Sequence, residues 1–310
     1  MEKLIITCCV FDERPQFPAK DIVNIPKTIK EVADSSKAAH DAGAAVVHVH
    51  QPEVKGGSSS PFNKEAYLDL TRQIRQCDVI YEHRGPGPYA CLYEGRLHQD
   101  PAAYAAKLKE WRSIDLGDYH PDMTPVIIGP EHMDWGVTQH YVMPNLEELE
   151  TAMRYYNKVQ VKPAFEVWGA NSLHNLRRLI GKGVLNSPYW LELCMGVTGS
   201  TSPPANVEEL LYITKKLPER SMWYTLTHTP PKGDLNPQQM FEFYAQTIIM
   251  GGHVRIGQED CPYFWDGSVA KSNAQIVESI VKFARGLGRE IATSTEARQM
   301  LGLPPYKSVN

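Results

Sequence analysis

Stretches that read as β-strands alternate with stretches that read as α-helices along nearly the whole chain. This order restricts the fold more than any other feature, because it is the pattern of a parallel sheet covered by helices. Strand signals fall at Leu4–Phe11, Ala44–His50, Asp78–His83, Thr124–Ile128, Pro163–Trp168, Tyr189–Met195, Met222–Thr227 and His253–Gly257. Most are short apolar runs of the length that a buried strand needs. Between them, apolar residues recur at helical spacing in Thr28–Ala42, Lys64–Gln76, Pro101–Trp111, Leu146–Asn157, Leu173–Lys182, Val207–Lys216, Pro237–Met250 and Asn273–Leu287. Pro26, Pro101 and Pro237 stand near helix starts and Gly43, Gly181 and Gly251 near helix ends, the usual start and stop chemistry.

Eight such units within 310 residues fit a closed (β/α)8 barrel better than an open doubly wound sheet, and no G-x-G-x-x-G follows the first strand. The expected fold is α/β: a single TIM-barrel domain over residues 1–310, with extended loops at the C-terminal face and a short C-terminal extension. The long connection after strand three, Gly85–Asp100, lies where barrels build their active sites and is a candidate lid.

Composition narrows the function classes. With 42% hydrophobic and 22% charged residues the chain is an ordinary globular one. Its 32 basic residues against 36 acidic ones leave no basic stripe for a phosphate backbone, so nucleic acid is not expected as a partner. No apolar run approaches the roughly 20 residues that span a bilayer, so no membrane is expected either. Six scattered cysteines, Cys8, Cys9, Cys77, Cys91, Cys194 and Cys261, have no C-x-x-C spacing. They predict buried thiols in a reducing cytoplasm rather than a disulfide framework.

The chemistry gathers at two strand ends. His48-Val49-His50 closes the second strand, and the two-residue period puts both imidazoles on one face, aimed into the barrel mouth. They are a candidate metal clamp, since neutral imidazoles suit zinc, or else a pair of hydrogen-bonded core histidines. A catalytic site wants a third protein ligand. Arg255-Ile-Gly-Gln-Glu-Asp at the eighth strand offers Glu259 as that ligand, Asp260 as a general base, and Arg255 to orient the base or meet a substrate carboxylate. The plainer reading is an ion pair closing the barrel. Glu166, an acid within the apolar run Pro163-Ala-Phe-Glu-Val-Trp, needs a partner or a task.

Together these segments resemble the β-keto acid cleavage enzyme family. The likeness runs through Leu4–Thr7, Asp41-Ala-Gly-Ala-Ala-Val-Val-His-Val-His, Pro163–Val167, Gly196-Val-Thr-Gly, Gly251-Gly-His-Val-Arg-Ile-Gly-Gln-Glu-Asp, Ser272-Asn-Ala-Gln and Gly288-Arg-Glu-Ile-Ala-Thr. The resemblance implies a TIM barrel holding Zn2+ through His48, His50 and Glu259. It implies Asp260 as the base that deprotonates the substrate, supported by Glu166 and Arg255. It also implies acetyl-CoA as cosubstrate beside the loop of Gly196, Thr198 and Gly199, a β-keto acid as partner, acetoacetate and a new acyl-CoA as products, and a homotetramer.

Departures from the family pattern cluster at strand ends. Gln51-Pro52-Glu53 stands where an arginine usually follows the H-x-H pair, and Arg14 stands where the family holds an amino group with an acid. Arg14 would repel an ammonium and attract an anion. Glu82-His83-Arg84 replaces a small Ser/Thr-Gly carboxylate pocket, Leu226-Thr-His-Thr replaces a glycine-rich turn, and Cys261 replaces an asparagine. Arg14, Glu82, His83, Arg84 and His228 are therefore the candidate substrate-binding residues. Two other readings stay open: a CoA-independent metal-dependent lyase or hydrolase, and a non-catalytic metabolite-binding relative.

Overall fold

In the computed structural model, residues 1–11, 24–50, 63–83, 116–134, 139–142, 144–230 and 233–309 are described. Eight parallel strands close into a barrel: β1 (Ile6–Phe11), β2 (Val46–Val49), β3 (Ile80–His83), β4 (Met123–Ile127), β7 (Lys162–Val167), β8 (Tyr189–Cys194), β9 (Ser221–Leu226) and β10 (His253–Ile256). β10 pairs with β1, Thr7 opposite Arg255, and this pairing closes the ring. The helices are α1 (Ile29–Asp41), α2 (Lys64–Ile74), α3 (Leu146–Val159), α4 (Ser172–Gly181), α5 (Val207–Thr214), α6 (Pro237–Ile249), α7 (Asn273–Gly286) and α8 (Ser294–Leu301). Their starts are chemically marked. Thr28 with Glu31, Asn145 with Glu148 and Asn236 with Gln239 form reciprocal capping boxes, and Pro237 opens α6.

The (β/α)8 reading is borne out, with two elements that sequence periodicity did not suggest. A short antiparallel hairpin, β5 (Glu131–Asp134) with β6 (Gln139–Val142), follows β4, and α8 follows α7. The expected helix Pro101–Trp111 and the candidate lid Gly85–Asp100 lie outside the described residues. Among the described residues, no helix is long and apolar enough to cross a membrane.

What positions the site is the layering inside the barrel. Ile5, Val46, Ile80, Met123, Ala164, Trp190 and Tyr224 form an apolar floor, closed from below by Ala297 and Leu301 of α8. Side chains two residues further along a strand share its face. The next inward residues are therefore Thr7, His48, Glu82, Glu166 and Glu192, and Arg255 stands two beyond His253; all are buried. The outward residues, such as Ile6, Val47, Tyr81 and Val254, pack in the layer beneath the helices.

His253 belongs to the floor. Its Nδ1 accepts the Ile5 N–H at 2.9 Å and its ring tilts against Trp190. Burial pulls its pKa from 6.5 down to about 3, with Arg289 adding to the effect. The unfolded chain thus binds a proton near pH 6.5 that the folded chain refuses. The stability held above pH 6.5 is lost as pH falls toward 3, about 2 kcal/mol of it by pH 5. His253→Asn keeps an acceptor for Ile5 but does not titrate. Its urea midpoint is expected to fall less between pH 7.5 and 5 than that of the parent protein; an equal fall would remove His253 from the acid sensitivity.

Candidate active site

His48 projects from the inner face of β2 and His50 follows directly after the strand, both nearly fully buried. Their environment sets their chemistry. His48 Nδ1 lies 2.7 Å from Glu82 Oε1 on the neighbouring strand, so Nδ1 donates, and in the neutral ring Nε2 is the nitrogen that can ligate. That Nε2 points at His50 Nε2, 3.3 Å away, and His50 Nε2 lies 3.6 Å from Glu259 Oε1. Donor atoms of His48, His50 and Glu259 all fall within 4.8 Å of one another. With metal–nitrogen bonds of about 2.0–2.1 Å, two ligands of a tetrahedral ion stand about 3.3–3.4 Å apart, so the observed edge suits such an ion. Buried carboxylates crowd the same region, Glu82, Glu166, Glu192, Glu259 and Asp260, and this charge also favours a cation there. The donor set fits a metal.

Glu259 and Asp260 come from the turn after β10. Gly257 takes φ +140°, and a Cβ there would collide with the Cys9 carbonyl, so the turn requires glycine. Asn273, at the start of α7, clamps the turn: its Oδ1 accepts Gln258 N–H at 2.8 Å and its Nδ2 donates to Val10 O at 3.0 Å. One guanidinium then binds three acids. Arg255 grips Asp260 through Nε and Nη2 at 3.0 Å each, donates from Nη2 to Glu259 Oε1 at 2.8 Å, and from Nη1 to Glu192 Oε1 at 2.9 Å. Burial disfavours the charge on Arg255, but the surrounding carboxylates hold it firmly cationic. Burial also opposes ionisation of Glu259, yet His50 and Arg255 keep it well below the usual carboxylate range.

The other expected residues divide between the cluster and its surroundings. His228 joins it, Nδ1 at 3.2 Å from Asp260 Oδ1. Glu166 faces inward from β7 and accepts the Trp168 indole N–H at 3.0 Å, with Glu192 and Cys194 close by. Glu82 serves His48, as above. His83, one residue on, points the other way and packs edge-on to Tyr67 of α2, ring centroids 5.0 Å apart. Burial, with His50 nearby, pulls its pKa down to about 3, so it stays neutral. Gly196 turns with φ +63°, and Thr198 Oγ1 lies 3.2 Å from Asp234 Oδ1, tying the loop after β8 to the one after β9. Gly199 also turns with positive φ, and Thr201 N–H in the same loop donates to His132 O of the hairpin at 3.0 Å. Arg14 and Arg84 lie outside the described residues.

Glu192 was not singled out from the sequence, although Tyr189–Met195 carried the same signal as Glu166, an acid in an apolar strand. Burial pushes its carboxyl up to about 7 against the pull of Arg255.

A profile of the β-keto acid cleavage enzyme family matches residues 3–303. The 3-keto-5-aminohexanoate cleavage enzyme of Acetoanaerobium sticklandii is 30% identical over 306 residues, covering 98% of this chain and 99% of the relative. The 3-dehydrocarnitine:acetyl-CoA trimethylamine transferase of Rhizobium meliloti is 26% identical over 312 residues, covering 97% of each. Among solved structures, apo ObcA superposes with a TM-score of 0.70 at 16% identity, over 90% of this chain and 66% of that one, a likeness of fold.

The pairing of Glu82 with His48 makes a prediction of its own. Glu82→Gln keeps a hydrogen-bond acceptor but removes the charge that raises imidazole basicity. Zn2+ affinity, read by chelator competition, is expected to fall roughly 10- to 100-fold. Unchanged affinity would show that Glu82 does not tune His48 as a ligand.

Proposed function

The chain belongs to the β-keto acid cleavage enzyme family and is an enzyme of that kind; from this premise we propose that it cleaves a β-keto acid with acetyl-CoA and Zn2+, releasing acetoacetate and a new acyl-CoA. The C2 carbon of the keto acid bonds to the acetyl carbon, the C2–C3 bond breaks, and CoA passes to the acyl fragment left behind. The observation that carries the reading is the sharing of Arg255 by Glu259 and Asp260, which sets a metal-ligating set and a carboxylate base side by side.

His48, His50 and Glu259 would hold the Zn2+, which when bound would polarise the keto oxygen and spread the charge of enolate formation. Asp260 Oδ atoms take the C2 proton. Arg255 and His228 hold that carboxylate in place, so its orientation is fixed before substrate arrives. Glu192, through Nη1 of Arg255, keeps the guanidinium turned toward both acids. Glu166, three strands round the barrel on β7, adds its carboxylate to the acid cluster around the base. The loop of Gly196, Thr198 and Gly199 is the place for the acyl-CoA thioester end.

The substrate departs from 3-keto-5-aminohexanoate. Arg14 favours an anionic or neutral side chain over an ammonium, and Arg84 and His228 change the polar groups offered to the substrate, whereas Glu82 serves His48 and His83 faces away from the barrel interior. In this reading the protein works in the cytoplasm as a homotetramer.

Asp260→Asn is expected to keep Zn2+ and ligand binding while slowing C2 hydrogen–deuterium exchange of a bound β-keto acid by about 10²- to 10⁴-fold, measured by NMR in D2O. Exchange at the parent rate would remove Asp260 as the base.

A further inference from the structure

We propose that a pocket at the N-terminal face of the barrel, built around Lys162, binds a short-chain monocarboxylate. Lys162 opens β7 and shares its inner face with Glu166, four residues on, so it lies about 13 Å below the catalytic level. The pocket is therefore a separate site. Its volume is about 210 Å3, far more than one water requires.

The lining is one-sided in its chemistry. Among the described residues, no carboxylate lines this pocket. The Lys162 ammonium makes no hydrogen bond or ion pair among the described residues, and burial pulls it down to about 8 with no acid to oppose the shift. The acid nearest in register is Asp122, whose backbone carbonyl accepts Lys162 N–H at 2.9 Å. Its carboxylate is already taken, by Arg298 at 3.0 Å, by the Tyr81 N–H at 2.9 Å and by Arg75 at 3.4 Å. A half-buried cation with no acid beside it calls for an anion.

The walls decide which anion. Met153, Phe165 and Leu185 supply an apolar side that suits a short alkyl chain, and a single lysine balances a single charge. This composition fits a monocarboxylate better than a doubly charged phosphate. An adjoining cavity of about 350 Å3 shares Gln160 and Pro304 with the pocket and is lined by charges of both signs, Lys158 and Lys307 with Asp118 and Asp122. The inference does not rest on the reaction proposed above.

The test is trace acetylation of the full-length protein with deuterated acetic anhydride, read by peptide mass spectrometry, with exposed Lys30 as internal standard. Lys162 labelling is expected to rise with a midpoint near pH 8. Butyrate is expected to slow it severalfold and leave Lys30 unchanged. Gln160→Glu, which places a carboxylate in the lining, is expected to abolish the protection. No effect of butyrate, or an equal effect at Lys30, would overturn the proposal. Equal protection by inorganic phosphate would overturn the monocarboxylate assignment.

Discussion

The site depends on one buried guanidinium. Arg255 brings together carboxylates from β8 and from the turn after β10, and without it those acids would sit desolvated and mutually repelling. Such a cluster is costly to bury, and the fold meets that cost by geometry. Gly257 bends the chain under the Cys9 carbonyl, Asn273 clamps the turn, and the apolar floor beneath shuts off water from the other end of the barrel. Arg255 touches a candidate metal ligand and the candidate base at once, so the two cannot move independently.

Beside this hub, the β2–β3 pair sets the other half of the site. Glu82 holds Nδ1 of His48 across one strand gap, which turns Nε2 toward His50. Three carboxylate settings thus arise from similar side chains: Glu82 bonds a histidine, Glu259 stands beside His50, and Asp260 is gripped by Arg255. Neighbours, rather than residue type, separate them.

Much of this was legible in the sequence, for physical reasons. The barrel follows from alternation, because strand runs and helical spacing are local signals. H-x-H and the Arg255–Asp260 segment were readable because the two-residue period of a strand puts alternate side chains on one face. The same period, applied to Glu82 and His83, would have sent one into the barrel and the other out against Tyr67; treating them as a single pocket patch hid this. Glu192 carried the local signal of an acid in an apolar strand, as Glu166 did, but its partner Arg255 lies on another strand, where no local pattern reaches. The hairpin β5–β6 and helix α8 are stabilised by contacts with distant loops and with the floor, so short windows carried little trace of them.

The central claim is that a metal-ligating set and a base, joined through Arg255, carry out acyl exchange between a β-keto acid and acetyl-CoA. The most direct measurement mixes Zn2+-loaded protein with acetyl-CoA labelled in the acetyl group and a broad pool of β-keto acids, then follows the label by mass spectrometry. The account predicts label in acetoacetate together with one new acyl-CoA mass, which also identifies the substrate. Consumption of a keto acid with no label in acetoacetate and no new acyl-CoA would contradict it and point to a CoA-independent lyase.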